Sequence, residues 1–215
     1  MNRKMLIARP KYDPITIHLH YWGDVILSTI RGMDIKVYDL PEKKCNRSEF
    51  RGHLEKLNPT FLVFHTHGDE RTIFGNKNNG KEEVLVKAGD NEYLLSNKIV
   101  YSIACSSAKV LGKVCKSQVF IGYTEDSVFY YIPNRLFKPS TDHVAFPCLE
   151  STTQIPLSII KGESVEESVR KSKERCMKHI RKQIRSKELE APYILQALID
   201  NMNNLKVIGD GGSVF

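Results

Sequence analysis

Phe61-Leu-Val-Phe-His-Thr-His67-Gly68-Asp69 and Ile99-Val-Tyr-Ser-Ile-Ala-Cys105-Ser106-Ser107 are the two stretches that decide the fold. Each runs a short apolar segment straight into a reactive side chain. Segments of this length, rich in aromatic and β-branched residues, read as buried strands. Strands buried on both faces belong to parallel sheets, which carry their chemistry at the carboxyl ends of the strands. His67 and Cys105 then stand at two such ends, 38 residues apart in the chain. A thiol is a weak nucleophile until it loses its proton, so an imidazole able to accept that proton is the minimum machinery for acyl transfer.

Working outward, Ile15-Thr-Ile-His-Leu-His-Tyr21 is expected as a first strand, Val25 to Arg31 as a short helix, and Asp34 to Leu40 as a second strand stopped by Pro41. Ser48 to Leu57 fits an amphipathic helix with Ser48 as its cap and Phe50, Leu54 and Leu57 on one face. This βαβαβ rhythm predicts an α/β fold with right-handed crossovers, a three-layer α/β/α sandwich around a mostly parallel central sheet. An inserted loop or hairpin is expected at about 71–97. Within it, Gly75-Asn-Lys-Asn-Asn-Gly80 reads as a loop and the paired segments as lying between Glu83 and Leu95. After Cys105, a helix from Ser107 to Lys113 is expected to place the thiol at a helix amino end, which favours the thiolate. Gln118 to Tyr123 reads as another strand. A helical part follows at about 142–205, with helices over Asp142–Ile160, Ser164–Lys187 and Pro192–Leu205. The whole of 1–215 is read as one domain.

The order of these motifs resembles the caspase-like cysteine peptidases, a group that includes gingipains, separases, metacaspases and CHAT domains. An apolar strand leads into His67-Gly68, a hairpin intervenes, and a second apolar strand ends in Ala104-Cys105. The Gln before Ala-Cys and the Gly shortly after it that mark true caspases are absent from Ile103-Ala104-Cys105-Ser106-Ser107, so the resemblance is to the CHAT and gingipain-like branches. Ile160-Lys-Gly-Glu-Ser-Val-Glu-Glu-Ser168 is similar to the helix entry of CHAT domains, and Leu205-Lys-Val-Ile-Gly-Asp210 to their closing strand.

The resemblance implies a cysteine endopeptidase with Cys105 as nucleophile and His67 as general base. It implies backbone oxyanion donors at Gly68 and Cys105, with no acidic third member required, a protein or peptide substrate, and a regulatory or sensor protein as partner. His65 and His67 are expected to face opposite ways, with the following Gly68 marking His67 as the one at the cleft. For the substrate pocket, relatives of the metacaspase type place an acid after the first strand. That makes Asp24 the first candidate, followed by Glu125 and Asp126, and a preference for Lys or Arg before the cut would follow. A catalytically silent interaction module of the same fold is the main alternative.

Composition bounds the remaining possibilities. Hydrophobic residues make up 41% and charged residues 27% of the chain, which suits a globular domain. The apolar run within Met1–Pro10 is too short for a signal peptide, and a cytoplasmic location is expected. Five cysteines, at 45, 105, 115, 148 and 176, form no CxxC pair and read as reduced thiols, buried ones except Cys105. Neither a glycine-rich phosphate loop nor a compact Cys/His spacing is present, so no cofactor is expected, and a metal held by His65, His67 and Cys105 is not expected either. His18 and His20 read as structural. The net charge of +7 has a local source, since residues 161–190 carry ten Lys or Arg against six Glu. A solvated helix face accounts for such a cluster; the second alternative function is a basic nucleic-acid-associated effector domain, with nucleic acid expected only through the basic 170–187 helix.

Overall fold

A computed structural model of the chain describes residues 3–133 and 138–215. One interior strand of its sheet is a strand that the sequence reading missed. Arg3–Arg9, here β1, pairs in parallel with β2 (Ile35–Pro41) on one side and with β3 (Phe61–Phe64) on the other. The sheet continues through β6 (Ile99–Ser102) and β7 (Val119–Tyr123), both parallel, and ends with antiparallel β8 (Leu205–Gly209) in the order β2-β1-β3-β6-β7-β8. A separate antiparallel hairpin, β4 (Thr72–Asn78) with β5 (Lys81–Lys87), lies between β3 and β6 in the chain.

Side chains alternate along each strand, and the alternation sorts the core into two layers. Met5, Ile7, Phe61, Val63, Tyr101 and Ile121 pack against α1 (Pro14–Ile30), α4 (Phe146–Ile160) and the start of α5 (Val165–Ile184). Leu6, Ala8, Leu62, Phe64, Val100 and Phe120 pack on the opposite face against α2 (Arg47–Leu57), the hairpin and Leu111 of the short α3 (Leu111–Val114). The fold is therefore an α/β/α sandwich with a mostly parallel sheet covered on both faces. Tyr101 and Tyr123 reach out of the sheet to one atom of α4, their hydroxyls lying 2.7 and 2.5 Å from Thr152 Oγ1. A third cluster joins α4 and α5 to α6 (Ala191–Asn204) through Cys148, Cys176, Ile180, Ile194 and Leu198. Among the described residues no helix is long and apolar enough to cross a membrane.

The expected first strand, Ile15–Tyr21, is instead the amino half of α1. Its period-two look is confined to seven residues, whereas Leu19, Trp22, Ile26 and Ile30 are buried at helical spacing. Burying each of these side chains contributes on the order of 2 kcal/mol. Asp13 starts the helix: it accepts from Thr16 N–H while the Thr16 hydroxyl accepts from Asp13 N–H, and Pro14 follows as the first helical residue. The helix also absorbs the short one expected at Val25–Arg31.

Smaller corrections share a pattern, in that turn chemistry lay elsewhere than the composition pointed. The expected loop Gly75–Gly80 is mostly strand, with the turn at Asn79 and Gly80, both at positive φ, as a two-residue hairpin demands. Glu92–Leu95 is a turn of 3-10 helix rather than a strand. Asn46, not Ser48, caps α2 by accepting from Glu49 N–H. The helix expected from Ser107 shrinks to α3, and the helix expected from Asp142 begins at Phe146, one residue before Pro147.

Candidate active site

Three adjacent strands deliver the reactive groups to one edge. Phe64 of β3 pairs with Ala8 of β1 and with Ser102 of β6, so the chains leaving β1, β3 and β6 emerge side by side at the carboxyl edge of the sheet. His67 lies three residues beyond Phe64 and Cys105 three residues beyond Ser102, at equal offsets from a paired position. The Ile103 N–H donates to the Phe64 carbonyl at 3.1 Å and holds the two exits together past the end of the ladder. Gly68 is fixed by the same closeness. A Cβ there would meet the Ala104 Cβ and the Thr72 carbonyl oxygen, each at 2.7 Å, so only glycine fits this approach. The N–H groups of Gly68 and Cys105 donate to no backbone acceptor among the described residues.

The side chain of His67 is oriented by a residue that the sequence reading passed over. His67 Nε2 lies 2.8 Å from Asp13 Oδ2, and since a carboxylate only accepts, Nε2 carries the proton and the neutral ring keeps its lone pair on Nδ1. The hydrogen bond from Asp13 raises the His67 pKa above the usual histidine value, outweighing burial, which acts the other way. Burial would raise Asp13, yet its hydrogen bonds with His67 and Thr16 bring it down to about 2. The Tyr12 ring stands 6.1 Å from the His67 ring, and its hydroxyl donates to Glu82 Oε1 of the hairpin at 2.6 Å. The overhanging insertion is thereby tied to the loop that positions the imidazole. Asp13 would have been legible had Arg3–Arg9 been read as a strand, because the helix-starting Asp13-Pro14 then falls at the sheet's carboxyl edge.

His65 has a different role. The expectation that it and His67 face opposite ways across one strand fails on two counts: positions two apart share a face, and the strand has already ended at Phe64. What separates them is the chain's departure from the sheet. His65 is fully buried, its ring nitrogen Nδ1 donating to the Leu19 carbonyl at 3.0 Å and Nε2 unpartnered among the described residues. Burial pulls its pKa down to about 4, so it is neutral.

Cys105 is half-buried, while Cys45, Cys115, Cys148 and Cys176 are buried. Ser106, immediately after it, takes a left-handed conformation at φ 52°, which turns the chain sharply and leaves the thiol without the helix amino end expected beneath it. Burial therefore pushes the Cys105 pKa up, a backbone hydrogen bond at Ser127 opposes this, and the charge of Asp126 adds to it; the thiol itself donates to the Ser127 carbonyl at 3.9 Å. The thiol is protonated at rest, contrary to a preformed thiolate.

The proposed pocket acids divide. Asp24 does not follow the first strand but sits inside α1, where Arg9 engages it at 2.8 Å. Arg9 also grips Asp39 with two 2.7 Å bonds and reaches His20 Nε2 at 2.8 Å, so Asp24 belongs to a charge cluster on Arg9 while its side chain stays 55% exposed. Glu125 pairs loosely with Lys109 at 3.6 Å. Asp126 accepts from the Ser106 hydroxyl at 3.2 Å, next to the thiol, and is exposed. His18 donates to Asp142 from inside α1. Among the described residues no group of three or more His, Cys, Asp and Glu is placed to hold a metal ion.

Compared with known proteins, the chain matches no family model and no curated protein sequence.

Proposed function

We propose that the chain is a cysteine peptidase of the caspase-like kind, with Cys105 as nucleophile, His67 as general base and Asp13 as the residue that positions His67. The observation that carries this reading is the Asp13–His67 hydrogen bond at the edge where the Cys105 strand emerges. An orienting carboxylate holds the tautomer and stabilises the imidazolium that forms during reaction.

In the first half-reaction, the Cys105 S–H proton passes to His67 Nδ1 as sulfur attacks the scissile carbonyl carbon. The negative oxygen is received by the backbone N–H groups of Gly68 and Cys105, each worth roughly 3 kcal/mol of barrier. Collapse breaks the C–N bond, His67 returns its proton to the leaving amine, and a thioester remains. Water then gives a proton to His67 and adds to the thioester, and the sulfur leaves as thiolate and is reprotonated.

Asp126 is the acid best placed to read the residue before the cut, which favours Lys or Arg there. The half-buried, protonated thiol bonded towards Ser127 supports a resting enzyme that needs a partner, or the substrate itself, to shift the 124–128 segment. It equally supports a second reading, a silent interaction module. A peptide library with varied residue before the cut, together with acyloxymethyl ketone probes, separates the two. Labelling at Cys105 that requires His67, with selective turnover, is the expected result; cleavage that persists in Cys105→Ala would overturn the assignment.

A further inference from the structure

The charges of α5 fall into two halves. In the first, Arg170 pairs with Glu167 and Glu174, Lys171 with Glu163, and Arg175 with Glu150 at 3.2 Å. In the second, Lys178, Arg181, Lys182 and Arg185 are exposed, form one open patch, and make no ion pair among the described residues. Their spacing of three, four and seven puts them on one helical face. Neutralising the helix carboxyl end needs one or two such charges, not a stripe of four.

A cleft of about 300 Å³ adjoins this stripe at Lys182 and runs beneath the segment before α4. It is lined by Phe146, which is 44% exposed, and by His143, His179, Gln183 and Glu188. Gln183 is 6% exposed, yet its Oε1 has no hydrogen-bond partner among the described residues. A buried, unpaired amide oxygen is costly, so a ligand that lets the Gln183 amide turn into the cleft and supplies a donor would be favoured. The Glu188 carboxylate disfavours a phosphate inside this cleft while suiting an amino group.

We propose that the end of α5 and the adjoining cleft form a site for single-stranded nucleic acid, with phosphates on Lys178, Arg181, Lys182 and Arg185 and one unstacked base in the cleft. The base lies on the Phe146 ring and offers its amino edge to Gln183 and Glu188. Stacking on an aromatic ring beside a cationic track is how single strands are held without a sequence code. A duplex keeps its bases stacked and cannot fill the cleft. A lipid surface or an acidic peptide would use the stripe and leave Gln183 unpaired.

The test is fluorescence anisotropy of the full chain with labelled single-stranded RNA and DNA of mixed sequence, their duplexes, polyglutamate, and vesicles of phosphatidylserine in phosphatidylcholine. Single strands are expected to bind best, with a slope of log affinity on log salt of about −3 from four phosphate contacts. Replacing the four cations by Ala should abolish that slope, whereas Arg170→Ala with Arg175→Ala should leave it unchanged. Phe146→Ala should weaken binding on the order of tenfold at unchanged slope, Phe146→Tyr should retain it, and Gln183→Met should weaken binding of base-bearing ligands alone. RNA and DNA binding equally well supports backbone and base recognition, and a preference for RNA adds the ribose hydroxyl. Binding of vesicles, polyglutamate or duplex as tight as single strands, or indifference to Phe146→Ala, would overturn the proposal, as would absence of binding at about 50 mM salt.

Discussion

The rim beyond β3 and the floor just beneath it each hold an imidazole, two residues apart, and treat it in opposite ways. At the rim, His67 is part-exposed and its pKa is raised by the Asp13 carboxylate. On the floor, His65 is sealed under α1, and burial drives its pKa down to about 4. The same side chain is thus favoured in its protonated form in one place and kept as a neutral packing and hydrogen-bonding piece in the other. The difference comes from what each ring meets, a carboxylate or a carbonyl, and hardly from sequence position.

Exchange at the rim should be felt in rate and not in stability. Cys105→Ala and His67→Ala are expected to lower turnover of a cleavable peptide by ~10⁴-fold or more, with thermal unfolding shifted little; a large loss of melting temperature would place either residue with the floor instead. Asp13→Asn should cost ~10²- to 10⁴-fold in kcat/KM. It should also move the acid limb of the pH profile to lower pH, since the carboxylate that raises the His67 pKa is gone. An acid limb that stays in place would remove Asp13 from its positioning role.

The floor should show the converse. His65 in the unfolded chain binds a proton below its ordinary value of 6.5, while the folded protein refuses it until about 4. Stability is therefore lost as pH falls through that window, by ~3 kcal/mol at its end. His65→Gln, which cannot titrate, should flatten urea unfolding midpoints between those pH values. The rim pair has the opposite sign at neutral pH: the His67 contribution is present below 6.5 and fades as pH rises through its raised value. Asp13 contributes above about 4 and is lost as pH falls towards about 2. Smallest is Gly68→Ala, where the added methyl must displace Ala104 or the Thr72 carbonyl at roughly 1–3 kcal/mol. An unfolding curve unchanged by it would mean that the two exits are less tightly apposed.

How much of this was legible in the chain depends on whether the signal was local. The exits at His67 and Cys105 were readable because each strand carries its own buried composition, and α5 because twenty residues of helical periodicity leave no ambiguity. The first strand was not, since Arg3–Arg9 is bracketed by Arg and Lys that read as surface. Arg3 and Arg9 in fact turn inward, Arg3 to the Ile160 carbonyl and Arg9 to Asp39 and Asp24. With β1 misplaced by one element, Ile15–Tyr21 was given its place in the sheet, Asp24 acquired a position it does not hold, and Asp13 lost the one it does. The state of the thiol was unreadable for another reason. It turns on the left-handed Ser106 and on Ser127, a contact across 22 residues that no periodicity announces.

The register of Thr152 under Tyr101 and Tyr123 sets an order in time. During synthesis the carboxylate at 13, the imidazole at 67 and the thiol at 105 leave the ribosome in turn, but the helix that covers the sheet beneath them begins only at Phe146. Until that helix docks, the tyrosine hydroxyls lack their partner and the apolar face of β6 and β7 is open to water. A nascent chain that already carries residues 13, 67 and 105 therefore still lacks the helix that closes this face of the sheet, and closure arrives late, with a segment outside the candidate site.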